Sequence, residues 1–254
     1  MVAAVKLHRH VGRVRAARFL AEGPNLVEAA LRRGLVSEVF ATEDAVDRFG
    51  SMLTGIPVHL VTKRAAKALS ETVTPVGLVA VCTTPQTSLD DVLAASPRLV
   101  AVAVEMSEPG NAGTLIRIAD AMGADAVVFA GHSVDPYNGK CLRASAGSIF
   151  SIPVVSDSDA ASAVARLAGA GLQVLATTVD GEISLDSPDL EAALSQPTAW
   201  LFGPEAHGLP VDLAASATHR VRIPMPGAAE SLNVAAAAAI CLYQSARAQI
   251  GPQP

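Results

Sequence analysis

The stretch EPGNAGTLIR, residues 108–117, joins two segments of different pattern. VAVAVEM, residues 100–106, precedes it and is apolar over a length that predicts a buried strand. IRIADAMGA, residues 116–124, has apolar residues at helical spacing. A strand, a glycine-containing turn and a helix begin many nucleotide-binding units, so this stretch predicts an α/β fold with a parallel sheet.

Two common nucleotide sites do not fit this turn. A dinucleotide fingerprint needs G-x-G-x-x-G, followed by an acidic residue at the end of the second strand. The turn has Gly110 and Gly113 without the remaining glycine, and the next strand, AVVFAG, has no acid before Asp135. A phosphate-binding P-loop is excluded as well, because G-K-[ST] does not occur in the chain. The turn carries Asn111 instead, and the helix after it carries Arg117.

The composition predicts a protein with a large core. Half of the 254 residues are hydrophobic, and six Phe, two Tyr and one Trp are the aromatic residues. No apolar run approaches the roughly 18–20 residues of a membrane span, and the first residues lack the pattern of a secretory signal. The three cysteines fit neither a metal spacing nor a disulfide framework. We therefore expect buried thiols and a cytoplasmic location.

Charge is distributed unevenly along the chain. The formal net charge is -5, which by itself argues against a nucleic-acid partner. The first twenty residues nevertheless contain five cations and no acidic residue. Such a segment is either a local phosphate-binding stripe or a solvated helix.

The chain divides into two alternating patterns. Residues 1–90 alternate short helices and strands, beginning with a helix around residues 3–18, and predict a small α/β domain. PQTSLDDVLAASP, residues 85–97, predicts a linker with one or two helical turns, and we take residues 91–97 as its core. Residues 98–254 alternate strands and helices as in a parallel sheet with crossover helices, and they end in a long alanine-rich helix.

Three motifs together resemble a known family. Asn111-x-Gly113-x-x-x-Arg117 is followed by LFGPEAHGLP, residues 201–210, and by IPMPGAAESLNVAAAAAI, residues 223–240. In this order and spacing they resemble the SpoU (TrmH-like) RNA 2′-O-ribose methyltransferases of the SPOUT class. Residues 135–154 and 176–181 extend the resemblance. FLAEGPNLVEAAL, residues 19–31, resembles the substrate-binding domain of the ribosomal-RNA, thiostrepton-resistance-type members, whose fold is shared with certain ribosomal proteins.

The resemblance implies a parallel sheet with a C-terminal trefoil knot, and a homodimer formed by the first and last helices of the catalytic domain. It implies S-adenosylmethionine as the methyl donor, without a metal. RNA is the expected partner, with no DNA and no membrane, and 23S ribosomal RNA is the expected substrate. Transfer RNA, or a non-catalytic RNA-binding role on the same fold, are the alternatives. A dinucleotide-dependent oxidoreductase is disfavoured by the missing fingerprint.

The expected catalytic residues follow from the chemistry of a ribose 2′-hydroxyl. This weak nucleophile must be aligned with the methyl group, and its developing negative charge must be stabilised. Arg117 interrupts an apolar helix, and its guanidinium is expected beside the target ribose and phosphate, with a salt bridge to Glu205 as the alternative. Asn111, Glu205 and Asn233 are carried over from the family as the other catalytic residues, with Asn111 capping the turn.

The remaining site residues are implied by the resemblance in two groups. The residues carried over to the cofactor pocket are Thr177 (with Thr178 as the alternative), Gly203, Ile223, Met225, Ser231 and Leu232. The residues expected to bind RNA are Arg9, Arg13, Arg15, Arg18, Lys63, Asn138, Lys140 and Arg143.

Overall fold

The structure is a computed structural model that describes residues 1–204 and 207–250. Its N-terminal part contains a four-stranded sheet in the order β1-β4-β2-β3, in which β2 and β3 are parallel and the other pairs antiparallel. The strands are β1 (Arg18–Glu22), β2 (Val36–Ala41), β3 (Val58–Leu60) and β4 (Leu78–Thr83). The helices are α1 (Val2–Val5), α2 (His10–Ala16), α3 (Pro24–Arg32), α4 (Glu43–Phe49) and α5 (Lys63–Ala68), with 3₁₀ turns at Lys6–His8 and Gly50–Leu53.

The helix predicted around residues 3–18 is broken into two. After the 3₁₀ turn Lys6–His8, the backbone of Arg9 is extended before α2 begins. The Arg13 guanidinium donates to the carbonyl oxygens of Leu7 and His8, at 2.9 Å each. These carbonyls stand at the end of the turn, where a helix leaves acceptors unsatisfied. The break is therefore stabilised by a side chain from the following helix, which apolar spacing does not reveal.

The second sheet has seven parallel strands in the order β7-β6-β5-β10-β8-β11-β9, which confirms the predicted parallel sheet. The strands are β5 (Leu99–Val104), β6 (Ala126–Ala130), β7 (Val154–Asp157), β8 (Gln173–Thr177), β9 (Ile183–Ser184), β10 (Thr198–Phe202) and β11 (His219–Arg222). The helices are α6 (Leu89–Ala94), α7 (Pro109–Ala121), α8 (Gly139–Ser145), α9 (Ala160–Gly169), α10 (Pro188–Leu194), α11 (Val211–Ala215) and α12 (Val234–Ile250), with a 3₁₀ turn at Ser148–Phe150.

Helices cover both faces of the second sheet. All six residues of β5 are buried, and alternate ones belong to different cores. Leu115 of α7 and Leu242 of α12 lie in the core on one face, while Leu167 of α9 lies in the core on the other. A strand buried on both faces reads as a continuous apolar run, which is why the sequence shows β5 so clearly. None of the described helices is long and apolar enough to cross a membrane.

The segment expected to be a linker contains a packed helix. Ser88 caps α6 in a capping box with Asp91, and Leu89 and Val92 are buried in a core of the second sheet. The start of the helix carries Ser88, Asp90 and Asp91, and these polar residues gave the segment a composition typical of a linker. Ser88 and Asp91 are polar because they cap the helix. The helix itself, α6, packs in the layers around the second sheet.

Helix α7 begins earlier than its sequence suggests. The sequence interpretation assigned Gly110, Asn111 and Gly113 to a turn before the helix, but the helix starts at Pro109, with Glu108 as its N-cap. Proline is favoured in the first turn of a helix, because its missing N–H would have no partner there. Asn111 is consequently inside the first helical turn and does not cap it, which corrects that expectation.

The N-terminal part contacts the loop between β6 and α8 through a largely buried ion pair and an aromatic contact. Arg13 of α2 is 7% exposed, and its Nε lies 2.6 Å from Asp135 Oδ2, before α8. Phe19 of β1 packs against Tyr137, with ring centroids 4.9 Å apart. Burial raises the pKa of Asp135, but a hydrogen bond from His10 and the charge of Arg13 outweigh burial, and the pKa is held below its ordinary value.

Arg13→Ala is expected to lower the free energy of unfolding by about 3 kcal/mol at pH 7, because the partly buried Asp135 carboxylate would lose its arginine partner. A carboxyl whose pKa is depressed by folding stabilises the fold above its unfolded pKa of about 3.9 and loses this effect as the pH falls further. The deficit of the variant should therefore shrink below about pH 4. Chemical denaturation at pH 7 and at pH 3 measures both differences.

Arg15→Ala is the matched control. Arg15 is exposed on the same short helix and has no ion pair with any described residue, so this change should alter the stability by less than about 0.5 kcal/mol. Equal losses for the two variants would contradict the assignment of Arg13 to the contact between α2 and the loop before α8.

Candidate functional site

A cavity of about 550 Å³ opens at the carboxyl ends of β8, β10 and β11. Ligands of open parallel sheets bind outside the carboxyl ends of the strands, and the size lies within the roughly 300–1,000 Å³ of small-molecule pockets. All six residues carried over to the cofactor pocket line this one cavity: Thr177, Gly203, Ile223, Met225, Ser231 and Leu232. Residues far apart in the sequence are thus brought to one wall.

The loops around the cavity are held by close packing of the backbone. Gly203 follows β10, and a Cβ added there would lie 2.5 Å from the backbone nitrogen of Leu209 and 2.6 Å from the carbonyl carbon of Gly208. The sequence interpretation gave Gly203 the role of allowing close backbone approach at the pocket. The structure identifies the approaching backbone as the chain's own loop at 208–209.

Two adjacent threonines at the end of β8 differ in their hydrogen bonding. The Thr177 hydroxyl donates to the carbonyl oxygen of Leu201 in β10, at 2.8 Å. The Thr178 hydroxyl oxygen is buried and has no hydrogen-bond partner, alone in this respect among the side-chain atoms of the described residues. Both residues line the cavity.

The rim of the cavity also carries charge and apolar side chains that sequence reasoning missed. Arg220 lies between Asp180, at 3.5 Å, and Glu182, at 2.9 Å. The backbone N–H of Arg220, together with its side-chain charge, lowers the pKa of Glu182. Val179 and Val211 are 71% and 83% exposed at the same rim. Spacing gave no signal for these residues, because their positions depend on how separate loops meet.

Two of the predicted catalytic residues meet where α7 and α12 begin. Asn233 Nδ2 donates to Asn111 Oδ1 at 3.1 Å. Asn233 Oδ1 accepts from the backbone N–H of Ala235 at 2.9 Å, within the first turn of α12. Leu232 and Val234, on either side of Asn233, line the cavity. The pair of asparagines therefore stands beside the cavity and ties the two helices together. Glu205, a further predicted catalytic residue, lies outside the described residues.

Arg117 lies on α7, exposed, after the buried Ile116. It forms no hydrogen bond or ion pair with any residue in the described ranges 1–204 and 207–250. Six residues advance about 9 Å along a helix, or roughly 1.7 turns, so Arg117 stands further along α7 than Asn111 and about 120° around the helix from it. It does not line the cavity. Its guanidinium is thus a planar set of donors that no described residue accepts from.

The predicted RNA-binding residues separate into two groups. Arg9, Arg15 and Arg18 are exposed and have no ion pair with a described residue. The other five interact within the chain: Arg13 with Asp135, Lys63 with Asp44, Lys140 with Glu108, Arg143 with Glu22 and Glu71, and Asn138 as the N-cap of α8. Arg13 is buried and paired with Asp135, so little of its guanidinium is exposed for the expected phosphate contact.

The three cysteines are buried, and the described residues offer no metal-binding cluster. Cys82, Cys141 and Cys241 are buried, and burial raises the pKa of Cys82 and of Cys141 to about 12. Among the described residues, no three or more His, Cys, Asp and Glu side chains are grouped so that they could hold a metal ion.

Comparison with known proteins relates the whole chain to RNA methyltransferases. Residues 98–243 match the SpoU rRNA Methylase family, and residues 3–80 match the MRM3-like substrate binding domain. The chain is 38% identical over 240 residues to the 23S rRNA (guanosine(2553)-2'-O)-methyltransferase RlmP of Bacillus subtilis (strain 168), across 94% of this chain and 92% of that protein.

Two solved structures of AdoMet complexes have the same fold. The SpoU methyltransferase AviRb from Streptomyces viridochromogenes in complex with AdoMet has a TM-score of 0.83 at 29% identity, covering 98% of this chain and 97% of that one. The AdoMet-bound rRNA methyltransferase from Sinorhizobium meliloti has a TM-score of 0.82 at 29% identity, covering 96% of this chain and 92% of that one.

Proposed function

Since the chain belongs to the SpoU rRNA methylase family, we propose that it transfers a methyl group from S-adenosylmethionine to a ribose 2′-hydroxyl of 23S ribosomal RNA. The observation that carries this proposal is the cavity at the carboxyl ends of β8, β10 and β11, whose wall contains all six residues expected to hold the cofactor. The relatives named above act on 23S rRNA or were solved with AdoMet, in agreement with this substrate and this methyl donor.

The cavity suits a nucleoside with a polar tail. Ile223, Met225 and Leu232 provide apolar surface for an adenine, while Thr178 and the backbone of the loops provide polar groups. Bound S-adenosylmethionine would supply an activated methyl group on a sulfonium. The loops of this chain would orient the ligand and exclude water around it.

Arg117 and the asparagine pair form the substrate side of the site. An arginine remains protonated in proteins, so we assign Arg117 to orienting the target nucleotide and stabilising the negative charge that develops on the 2′-oxygen. The pair Asn111–Asn233 fixes α7 against α12, and so holds Arg117 in position relative to the cavity. We propose that Glu205 joins this group.

Calorimetry with S-adenosylhomocysteine and with NAD tests the class of cofactor. The proposal requires that the protein bind S-adenosylhomocysteine and not NAD. Binding of NAD without binding of S-adenosylhomocysteine would contradict the methyltransferase assignment. It would favour a dinucleotide-dependent oxidoreductase, which the missing fingerprint disfavours.

Replacing Arg9, Arg15 and Arg18 together by alanine is expected to weaken RNA binding and to flatten its dependence on salt. Each phosphate contact that is lost should reduce the slope of log K against log salt concentration by about 1, or less for single-stranded RNA. Titration of a fluorescent 23S rRNA fragment at several KCl concentrations measures the slope. Arg33→Ala is the control, because Arg33 is an exposed arginine at the end of α3 that was not assigned to RNA. An unchanged slope in the triple variant would remove this surface from the RNA site.

We further propose a homodimer, a trefoil knot and two domains, predicted from the sequence as residues 1–90 and 98–254, with α6 (Leu89–Ala94) packing on the second of them. Ile240 and Tyr243 are exposed on α12, 37% and 55%, at the spacing of one helix face, as a dimer contact requires. The knot is proposed on the resemblance to the family. A Cβ on Gly181 would lie 2.6 Å from the backbone nitrogen of Arg222, so the loop before β9 passes close to the end of β11. A substrate in the ribosome supports a cytoplasmic location.

A further inference from the structure

Elements of opposite charge cover the two faces of the four-stranded sheet. Helices α3 and α4 pack on one face, where Val27 and Ala45 join the core. These two helices contain four acidic residues and two arginines. The N-terminal turn and the end of α5 pack on the other face, through Leu7 and Leu69. The first 18 residues contain five Lys and Arg, α5 contains three, and neither segment contains an acidic residue.

Helix α5 lies directly beside the N-terminal segment. His8 Nε2 is 3.3 Å from the carbonyl oxygen of Ala68, the last residue of the helix. Glu71, the first acidic residue after the helix, pairs with His8 and Arg143, at 3.4 and 3.6 Å. Four exposed cations of these two neighbouring segments have no ion pair with a described residue: Lys6, Arg9, Arg64 and Lys67. The two segments therefore present positive charge that no described carboxylate pairs with.

The three cations of α5 differ in their environment. Arg64 and Lys67 are exposed, and their spacing of three residues places them about 60° apart around the helix. Both lie on the side away from the buried Ala66. Lys63 Nζ, in contrast, is 2.6 Å from Asp44 Oδ2, at the start of α4 on the acidic side of the sheet. The charge of Lys63 already has a partner, while those of Arg64 and Lys67 are available to a ligand.

We propose that Arg64 and Lys67 bind phosphates of the RNA substrate, so that the RNA surface extends from the N-terminal segment onto α5. This inference rests on the proposed function, and it transfers the phosphate contact expected of Lys63 to its two neighbours on the helix. RNA carries a phosphate at each nucleotide, and exposed cations that neutralise these phosphates release the bound counterions. Arg64 and Lys67 can do so without first breaking an ion pair, and Arg64 adds a planar fork of donors that matches a phosphate.

Three single variants, each of which loses one positive charge from the same helix, test the assignment: Arg64→Ala, Lys67→Ala and Lys63→Ala. Titration of a fluorescent 23S rRNA fragment that the parent protein methylates, at several KCl concentrations, measures the slope of log K against log salt concentration. Arg64→Ala and Lys67→Ala should each reduce the slope by about 0.7–0.9, as for one lost phosphate contact. Lys63→Ala should leave the slope within about 0.2 of the parent value, because Asp44 rather than RNA holds this lysine.

The double variant Arg64→Ala/Lys67→Ala separates RNA binding from methyl transfer. Its KM for the RNA should rise about tenfold or more at low salt, while kcat stays within about twofold of the parent value. Its affinity for S-adenosylhomocysteine, measured by calorimetry, should equal that of the parent, since neither residue lines the cavity. The melting temperature should not fall, because both side chains are exposed and alanine favours a helix.

Two patterns of slopes would overturn the inference. An unchanged slope in Arg64→Ala or in Lys67→Ala would show that the replaced side chain does not contact a phosphate. Equal reductions in all three single variants would indicate an effect of net charge instead of separate contacts. A parent protein that binds S-adenosylhomocysteine but neither binds nor methylates 23S rRNA would contradict the proposed function itself, and the inference would fail with it.

Discussion

Arg117→Ala is expected to lower the rate of methyl transfer to 23S rRNA by about 10²–10³-fold, the loss typical of removing a donor that stabilises developing negative charge. The guanidinium is exposed on α7 and does not line the cofactor cavity. Its removal should therefore leave the affinity for S-adenosylhomocysteine unchanged. Transfer of a radioactive methyl group under single-turnover conditions, together with calorimetry, separates the two effects.

Arg117→Lys distinguishes the proposed role from simple attraction of a phosphate. Lysine keeps the charge but lacks the planar fork of donors that can hold ribose and phosphate together, so this variant should be nearly as slow as Arg117→Ala. Arg33→Ala changes an exposed arginine at the end of α3, outside the proposed site, and this variant should transfer methyl groups at the parent rate. Full activity of either Arg117 variant would exclude this residue from the reaction.

Gly113→Ala is expected to lower the free energy of unfolding by about 3 kcal/mol, at the upper end for overpacking. A Cβ at this position would lie 2.6 Å from the Cβ of Ala144 and 2.9 Å from the backbone nitrogen of Ser145, and it would overlap the carbonyl oxygen of Cys141. Backbone atoms cannot move aside as the end of a flexible side chain can. In a protein of this size the melting temperature should fall by about 6–12 °C, which calorimetric scanning measures.

Gly110→Ala is the control within the same helix. The nearest atoms to an added Cβ there belong to the side chains of Glu108, at 3.6 Å, and Lys140, at 3.7 Å, which is ordinary van der Waals contact. Alanine also favours the helix over glycine, so Gly110→Ala should melt at the parent temperature or slightly above it. If the two variants melt at the same temperature, Gly113 is not required for the packing of α7 against α8.

The central strands of the second sheet could be predicted from the sequence because they are short and apolar. β5 shows this directly, since burial on both faces requires an unbroken apolar run. The first helix of the chain could not be predicted in the same way. Its break depends on Arg13, which satisfies carbonyl groups of the preceding turn and pairs with Asp135, 122 residues away in the sequence. Apolar periodicity contains no information about such a partner.

The sequence predicted the cofactor residues of the candidate site better than its RNA-binding residues. The cofactor residues were carried over by resemblance, and the structure places them around one cavity because strand ends of a parallel sheet meet at one edge. The RNA-binding residues were chosen as cations, and charge alone does not show which of them already has an acidic partner. Lys140 illustrates the difficulty, since it pairs with Glu108 at the start of α7. The resulting ion pair lowers the pKa of the Glu108 carboxyl.

The most direct test of the methyltransferase assignment is to identify the methylated nucleoside in 23S rRNA. Unmodified 23S rRNA would be incubated with the protein and S-adenosylmethionine, digested to nucleosides, and analysed by mass spectrometry beside the Arg117→Ala variant. We predict one additional 2′-O-methylated nucleoside with the parent protein, at a position where reverse transcriptase stops at low nucleotide concentration, and none with the variant. A methyl group on a base, or no methylation of 23S rRNA when S-adenosylhomocysteine binds, would contradict the proposed function.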